Sequence, residues 1–204
     1  MTAPPVGVHE HDGFYLRMAL GLGHLGARFG SDESAAYGGK VTGTLGGGSG
    51  ALELALGGSP MPGLVLGGGL YLDGGGKLRT NVFEVDGTSA GQVQYDQVSL
   101  GLLGPFVDYF FDAKSGWHLQ GALGYAWMNV GPATRDGVTV AKKSLGGVGF
   151  EVGGGYEWWI ASQWSLGVLL RGTFVAVANN ANDGERWSYE SLAVPELLLS
   201  VTYQ

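Results

Sequence analysis

An all-β fold is predicted here, an eight-stranded antiparallel up-and-down transmembrane β-barrel with short periplasmic turns and long extracellular loops. Three observations predict it. Apolar side chains recur at every second position: Leu16, Met18, Leu20 and Leu22 alternate with Tyr15, Arg17, Ala19 and Gly21, and Val148, Phe150, Val152, Tyr156 and Trp158 alternate with Gly149, Glu151, Gly153 and Glu157. The opposite face is mostly glycine with isolated charges, too sparse for a solvent-facing surface, so it should line a crowded interior while the apolar face meets lipid. The connections, finally, alternate short and long along the chain.

The first strand is expected from about Phe14 to Gly23 and the second from about Ser49 to Gly57, ending at the turn Ser59-Pro60-Met61-Pro62. Leu64, Leu66, Leu70 and Leu72 mark the third. The fourth begins near Val98, Leu100 and Leu102 facing lipid. After Gly104-Pro105 the apolar parity passes to Val107, Tyr109 and Phe111, which predicts a one-residue bulge because proline cannot donate to the ladder. Asp112 to Gly116 is the second turn. Trp117, Leu119, Leu123, Tyr125 and Trp127 form the fifth strand, and the sixth runs from about Gly146 to Ile160. After Ala161-Ser162-Gln163 the seventh follows with Trp164, Leu166, Val168, Leu170 and Phe174, and Pro195, Leu197, Leu199, Val201 and Tyr203 close the eighth. Long loops are expected near residues 24–48, 73–97, 129–145 and 178–190, all rich in Gly, Asn, Asp, Ser and Thr. Residues 1–12 read as a flexible N-terminal tail and 13–204 as the barrel domain.

Composition agrees. The 204 residues make one domain, and 40 glycines with 45% hydrophobic residues describe a curved, close-packed sheet rather than a disordered chain. Charged residues are 14%, against roughly 25% in soluble domains. No run approaches the ~20 apolar residues of a membrane helix. A net charge of −7 without a Lys/Arg cluster excludes a nucleic-acid partner. The absence of cysteine fits a cell envelope without deciding the compartment. A soluble lipocalin-like barrel would have the reverse faces, apolar inside and charged outside. Met1 to Asp12 has no apolar h-region, so an exported form would be a mature chain whose signal peptide is absent.

Strand parity turns Arg17, Glu53, Asp108, His118, Glu151, Glu157, Arg171 and Glu196 into the lumen. Counting from the turns sets Arg171 level with Glu196, with Glu151 nearby, and Arg17 level with Glu53. This predicts a charge network that plugs the lumen or lines a narrow polar path, with five carboxylates to two guanidiniums. Phe14, Tyr109, Phe111, Trp117, Tyr156, Trp158, Trp164 and Tyr203 fall near the turn-side end, as an interfacial girdle would.

Strand number, loop asymmetry, girdle and closing strand together resemble the small eight-stranded outer-membrane barrels, the OmpA-transmembrane, OmpX-like and OmpW-like group. The closing strand Leu197-Leu198-Leu199-Ser200-Val201-Thr202-Tyr203-Gln204 looks like that family's C-terminal assembly signal. The resemblance covers about residues 13–204 and implies an integral protein of the bacterial outer membrane, with lipid as its surroundings and the loops as contacts for an envelope or extracellular protein.

Other motifs weigh little. Gly21-Leu22-Gly23-His24-Leu25-Gly26 matches a dinucleotide fingerprint, but no helix pattern follows it. His9-Glu10-His11-Asp12 reads as a solvated tail rather than a metal site. No cofactor and no metal is expected. A lipid-modifying enzyme would need Ser, His and acid together, and Ser99 sits too high on its strand to meet His118 and Asp108. The expectation is a non-enzymatic envelope protein acting through its loops, where Phe83, Trp187 and Tyr189 are contact candidates or, equally, pack onto the barrel rim; the alternative is a narrow channel or carrier for small ions or small hydrophobic molecules.

Overall fold

Alternating inside-outside chemistry folds into eight long strands because only a closed sheet satisfies every backbone N–H and C=O in lipid. A computed structural model describes residues 9–34, 38–135, 138–140, 142–179 and 186–204. The barrel strands are β1 (Gly13–Ser34), β2 (Gly39–Met61), β3 (Leu64–Val85), β4 (Gln94–Phe110), β5 (Trp117–Val130), β6 (Lys143–Trp159), β7 (Trp164–Ala178) and β8 (Trp187–Tyr203). Each pairs antiparallel with its sequence neighbours. β8 pairs back onto β1, from Leu16↔Tyr203 to Ser31↔Trp187, and closes the ring. Short strand pairs at Thr88–Ser89, Ala133–Arg135 and Val138–Val140 extend the hairpins. Gly63, with φ of 81°, makes the tight β2–β3 turn that an L side chain would strain.

No helix of the described chain is long and apolar enough to cross a membrane; the crossing is made by strands. On β1 the outward residues Phe14, Leu16, Met18, Leu20 and Leu22 precede the first outward polar one, His24. That apolar run is about 26 Å along the strand, the length of a tilted crossing. Leu22 is 76% exposed and Leu20 65%, whereas Arg17 and Arg171 are fully buried, an inversion that only a lipid surround makes favourable.

Three expectations are corrected. The segments 24–48, 73–97 and 129–145 are largely strand rather than loop, and 178–190 takes in the end of one strand at Ala178 and the start of the next at Trp187, with 180–185 outside the described residues. β1, β2 and β3 span 22, 23 and 22 residues. At about 3.3 Å per residue and a tilt near 40° they rise about 55 Å, twice the roughly 25 Å lipid band. Above the belt small Gly and Thr face out, and that composition reads as loop although the inner face is apolar.

The second correction is that inner face. Leu25, Phe29, Leu45, Leu78, Val98, Leu100, Leu102 and Met128 are buried inside the upper barrel, so the lumen is polar only in its lower half. Phe83, Trp187 and Tyr189 join this core around Phe29, with ring centroids 5.5 to 6.4 Å from it, and are not surface contacts.

The third is the bulge. β4 keeps one register with β3 from Leu64↔Tyr109 to Arg79↔Gln94, and with β5 from Val98↔Val130 to Phe110↔His118. Leu100 and Leu102 therefore point inward, and Leu103, Val107 and Tyr109 outward. Pro105 interrupts the ladder without inserting a residue. The extra residue lies instead on β8, where Glu196 to Ala193 opposes Gly23 to Leu25 on one side and Arg171 to Thr173 on the other, and Pro195 is within it.

Residues 1–8 of the tail lie outside the described residues; of 9–12, His9 is exposed, Glu10 and Asp12 are partly buried, and His11 donates its backbone N–H to Ala113, accepts from Gly63 and buries its ring.

Candidate functional site

The lower lumen is built by the inward positions of all eight strands. β1 contributes Tyr15 and Arg17, β2 Glu53, β3 Tyr71 and Asp73, β4 Asp108, β5 His118 and Gln120, β6 Glu151 and Glu157, β7 Ser165 and Arg171, β8 Glu196 and Thr202. Every one of the eight lumen residues named from sequence parity lies in it.

Arg17 is the lower hub. Its Nε donates to Glu53 (2.9 Å) and its Nη1 to Asp108 (2.8 Å), while Nη2 donates to Gln120. Asp108 also accepts from Tyr15 (3.0 Å) and lies 2.8 Å from Nδ1 of His118. Glu157 accepts from Ser165 (2.5 Å) and Thr202 (2.7 Å) and stands 3.9 Å from Arg17.

Arg171 is the upper hub. It donates to Glu196 (2.6 Å), Asp73 (3.2 Å) and Glu53 (3.3 Å), with Glu151 at 3.9 Å. Gln120 bridges the two hubs by donating to Glu53 (3.3 Å) and Glu151 (2.5 Å). Each guanidinium also lies over a tyrosine, Arg17 5.5 Å from Tyr15 and Arg171 5.6 Å from Tyr71. Buried charges of both signs persist at this density only when mutually paired.

Sequence reasoning passed over Tyr15, Tyr71, Asp73, Gln120, Ser165 and Thr202. Asp73 falls in the segment 73–97 that composition marks as loop, and it raises the carboxylates around the two guanidiniums to six. The signal was present: each has inward parity on its strand, and extending β3 past Leu72 would have included Asp73.

Below the network, His11 closes the mouth at the termini end. Its ring stacks on Phe110 at 3.5 Å between centroids, lies 4.8 Å from Trp159, and places Nδ1 2.7 Å from the Gln204 side-chain oxygen. Phe110 stacks in turn on His118 at 5.0 Å, so one column of rings joins the mouth to the network. Burial lowers the His11 pKa below the ordinary histidine value, with Glu157 and the Gln204 hydrogen bond opposing that shift in part. Above the network the apolar core begins at once.

Outside, the eight girdle aromatics form a band at the termini end. Phe14 meets Tyr203 at 6.0 Å, Tyr203 meets Trp164 at 5.1 Å, Trp117 meets Tyr156 at 5.0 Å, Tyr156 meets Trp158 at 4.8 Å, and Tyr109 meets Phe111 at 5.8 Å.

The rejected motifs are placed as well. The Gly21–Gly26 segment is inside β1. Among the described residues no group of three His, Cys, Asp or Glu is arranged to hold a metal ion. Ser99 pairs with Gly74 and Asn129, well above the His118–Asp108 pair.

No protein-family model matches this sequence, and no curated protein matches it. Solved structures do align with it. OprG, an outer membrane protein of Pseudomonas aeruginosa, is 11% identical over 96% of this chain and 98% of its own, with a TM-score of 0.47. The outer membrane protease OmpT of Escherichia coli is 9% identical over 96% and 99%, with a TM-score of 0.45. Ail, the attachment invasion locus protein of Yersinia pestis, solved with the heparin analogue sucrose octasulfate, is 10% identical over 91% and 99%, with a TM-score of 0.38. The structures with which this chain aligns are thus outer-membrane β-barrel proteins of different activities.

Proposed function

We propose that the chain is a non-enzymatic integral protein of the bacterial outer membrane, a closed barrel that carries a water-exposed β extension and binds an envelope or extracellular partner through it. The observation that carries this reading is the doubly filled lumen. A path along the axis meets His11 and Phe110, then the charge network, then the apolar core, and each level is buried. A barrel of eight strands is just wide enough for such filling. Among the described residues no serine, threonine or cysteine is hydrogen-bonded to the His118–Asp108 pair, whose neighbouring hydroxyl is that of Tyr15, and Ser165 donates to Glu157 instead. Planar-bilayer recording on the refolded protein tests the reading. No stable porin-scale steps are expected; large reproducible steps would overturn it. Hydrolysis of phospholipid or lipopolysaccharide acyl chains by the same sample would overturn the non-enzymatic assignment.

A second reading, a carrier for small hydrophobic molecules, is favoured by one observation, the apolar lining of the upper barrel. Vesicle uptake of an apolar solute that is lost on Leu100→Asp, with the barrel still folded, would promote it.

A further inference from the structure

Residues 9–12 touch all three short turns of the barrel. The N–H of His9 donates to the carbonyl of Ser162 in the β6–β7 turn (3.4 Å) and that of His11 to Ala113 in the β4–β5 turn (2.7 Å), while the N–H of Gly63 in the β2–β3 turn donates to the carbonyl of His11 (2.8 Å). Four residues thus cross the mouth at the termini end and tie its rim together. Their one fully buried side chain is His11, packed against Phe110 and Trp159. None of these main-chain bonds belongs to a strand ladder, so the segment can leave without opening the sheet. His9 gains by leaving, because its φ of 58° is one that a residue with a side chain rarely holds.

The mouth accepts the His11 ring as a neutral imidazole. Nδ1 lies 2.7 Å from the side-chain oxygen of Gln204, which can only accept, so Nδ1 carries the proton of the neutral ring. A second proton would go to Nε2, which is buried without a hydrogen-bond partner. Charges act on the ring from three strands. Glu157 of β6 and Asp108 of β4 favour the imidazolium, but both carboxylates are already engaged, Glu157 by Ser165 and Thr202, Asp108 by Arg17, Tyr15 and His118. His118 of β5 opposes it. Asp112 and Lys114 of the β4–β5 turn, and His9, Glu10 and Asp12 of the segment itself, are exposed or half-buried, where water and salt screen them. Burial outweighs the two carboxylates and holds the pKa of His11 below the ordinary histidine value.

We propose that residues 9–12 are a strap that covers this mouth while His11 is neutral and lifts from it when His11 takes a proton, the eight-stranded ring staying closed. Lifting admits water to Tyr15 and Glu157 at the lower edge of the charge network, while the apolar core still fills the upper half. The strap belongs to one end of the barrel, and it stands whether the β extension binds a partner or the lumen carries a solute.

Amide hydrogen exchange followed by NMR on the detergent-refolded protein tests it, each rate being referred to that of an unstructured peptide at the same pH. Between pH 7.5 and 5 the protection of the His11 and Gly63 amides should fall about tenfold, within the roughly thirtyfold that a histidine of ordinary pKa can supply over that range. Ladder amides of Met18 to Leu20 should keep theirs. The imidazole nitrogen shifts of His11 should show the ring taking its proton over the same pH interval. His11→Phe, which keeps the ring stack without titrating, should hold both amides protected at pH 5, and His9→Gln should respond like the wild type. Unchanged protection of the two amides overturns the strap, and equal loss along the ladder does so too, because the whole barrel would then be opening. Loss while the His11 ring is still neutral, or an undiminished loss in His11→Phe, overturns His11 as the trigger, as does a response abolished by His9→Gln.

Discussion

Each buried arginine holds its place by the number of carboxylates it neutralises. Arg171 faces Glu53, Asp73, Glu151 and Glu196, so Arg171→Ala strands several charges at once and should cost about 3 to 5 kcal/mol in urea unfolding of the refolded barrel. Adding Glu196→Gln should recover part of that loss, because one stranded charge is removed; a fully additive double variant would show that the two do not couple. The pairing of Arg171 with Glu196 was legible from parity and height along adjacent strands. The share taken by Asp73 and Gln120 was not, because shear brings β3 and β5 side chains to the hubs from strands that are not sequence neighbours of β7. His11 is the other residue whose environment decides its behaviour. Burial holds its folded pKa down, so below the ordinary imidazole value near 6.5 the unfolded segment binds a proton that the packed one does not. Its contribution is complete above that value and declines as pH falls. The stability difference between the wild type and His11→Phe, which keeps the ring stack without titrating, should shift by on the order of 1 kcal/mol between pH 7.5 and 5. A constant difference would mean that His11 does not sense pH.

At the scale of single strands, alternation is readable only where one face is distinct from the other. β1, β6 and β7 carry apolar residues outward and mostly small, polar or charged ones inward, with Tyr15 and Leu169 the large exceptions, and their lower halves lie as parity predicts. In β4 the stretch Val98 to Leu102 is apolar on the inner face, which belongs to the upper core, while Ser99 and Gly101 lie on the outer one, so parity there picks the wrong face. Proline misleads for a related reason. Its missing N–H predicts a defect in the ladder, and both Pro105 and Pro195 sit at one, but only the β8 site absorbs an extra residue. Oxygen accessibility of spin labels in vesicles checks the corrected register: labels at Leu103→Cys and Leu20→Cys should report lipid, and a label at Leu102→Cys should not. Lipid contact at Leu102 would restore the bulge to β4. On the same lipid face, Leu20→Arg should cost about 2 to 4 kcal/mol.

The whole barrel has two storeys with different solvents outside and different fillings inside. The lower is wrapped by lipid and filled by paired charge; the upper stands in water around Phe29, Leu45, Leu78, Phe83, Tyr95 and Trp187. In water that upper filling is an ordinary hydrophobic core, so Phe29→Ala should destabilise the barrel by about 3 to 5 kcal/mol although it lies above the membrane. The same division limits what can be removed. Residues 75–90 look like a loop in composition, but they carry Leu78, Thr80 and Phe83, all buried, and excising them should abolish the heat-modifiable folded form. Replacing only the exposed turn residue Asp86, which with Gly87 closes the β3 hairpin with φ of 50° and 76°, by Asn should leave it intact. Gel shifts of the two variants, refolded side by side, decide the matter. If the 75–90 deletion folds like the wild type, the upper storey is not a core, and partner binding must be sought along flexible loops rather than on a rigid β extension.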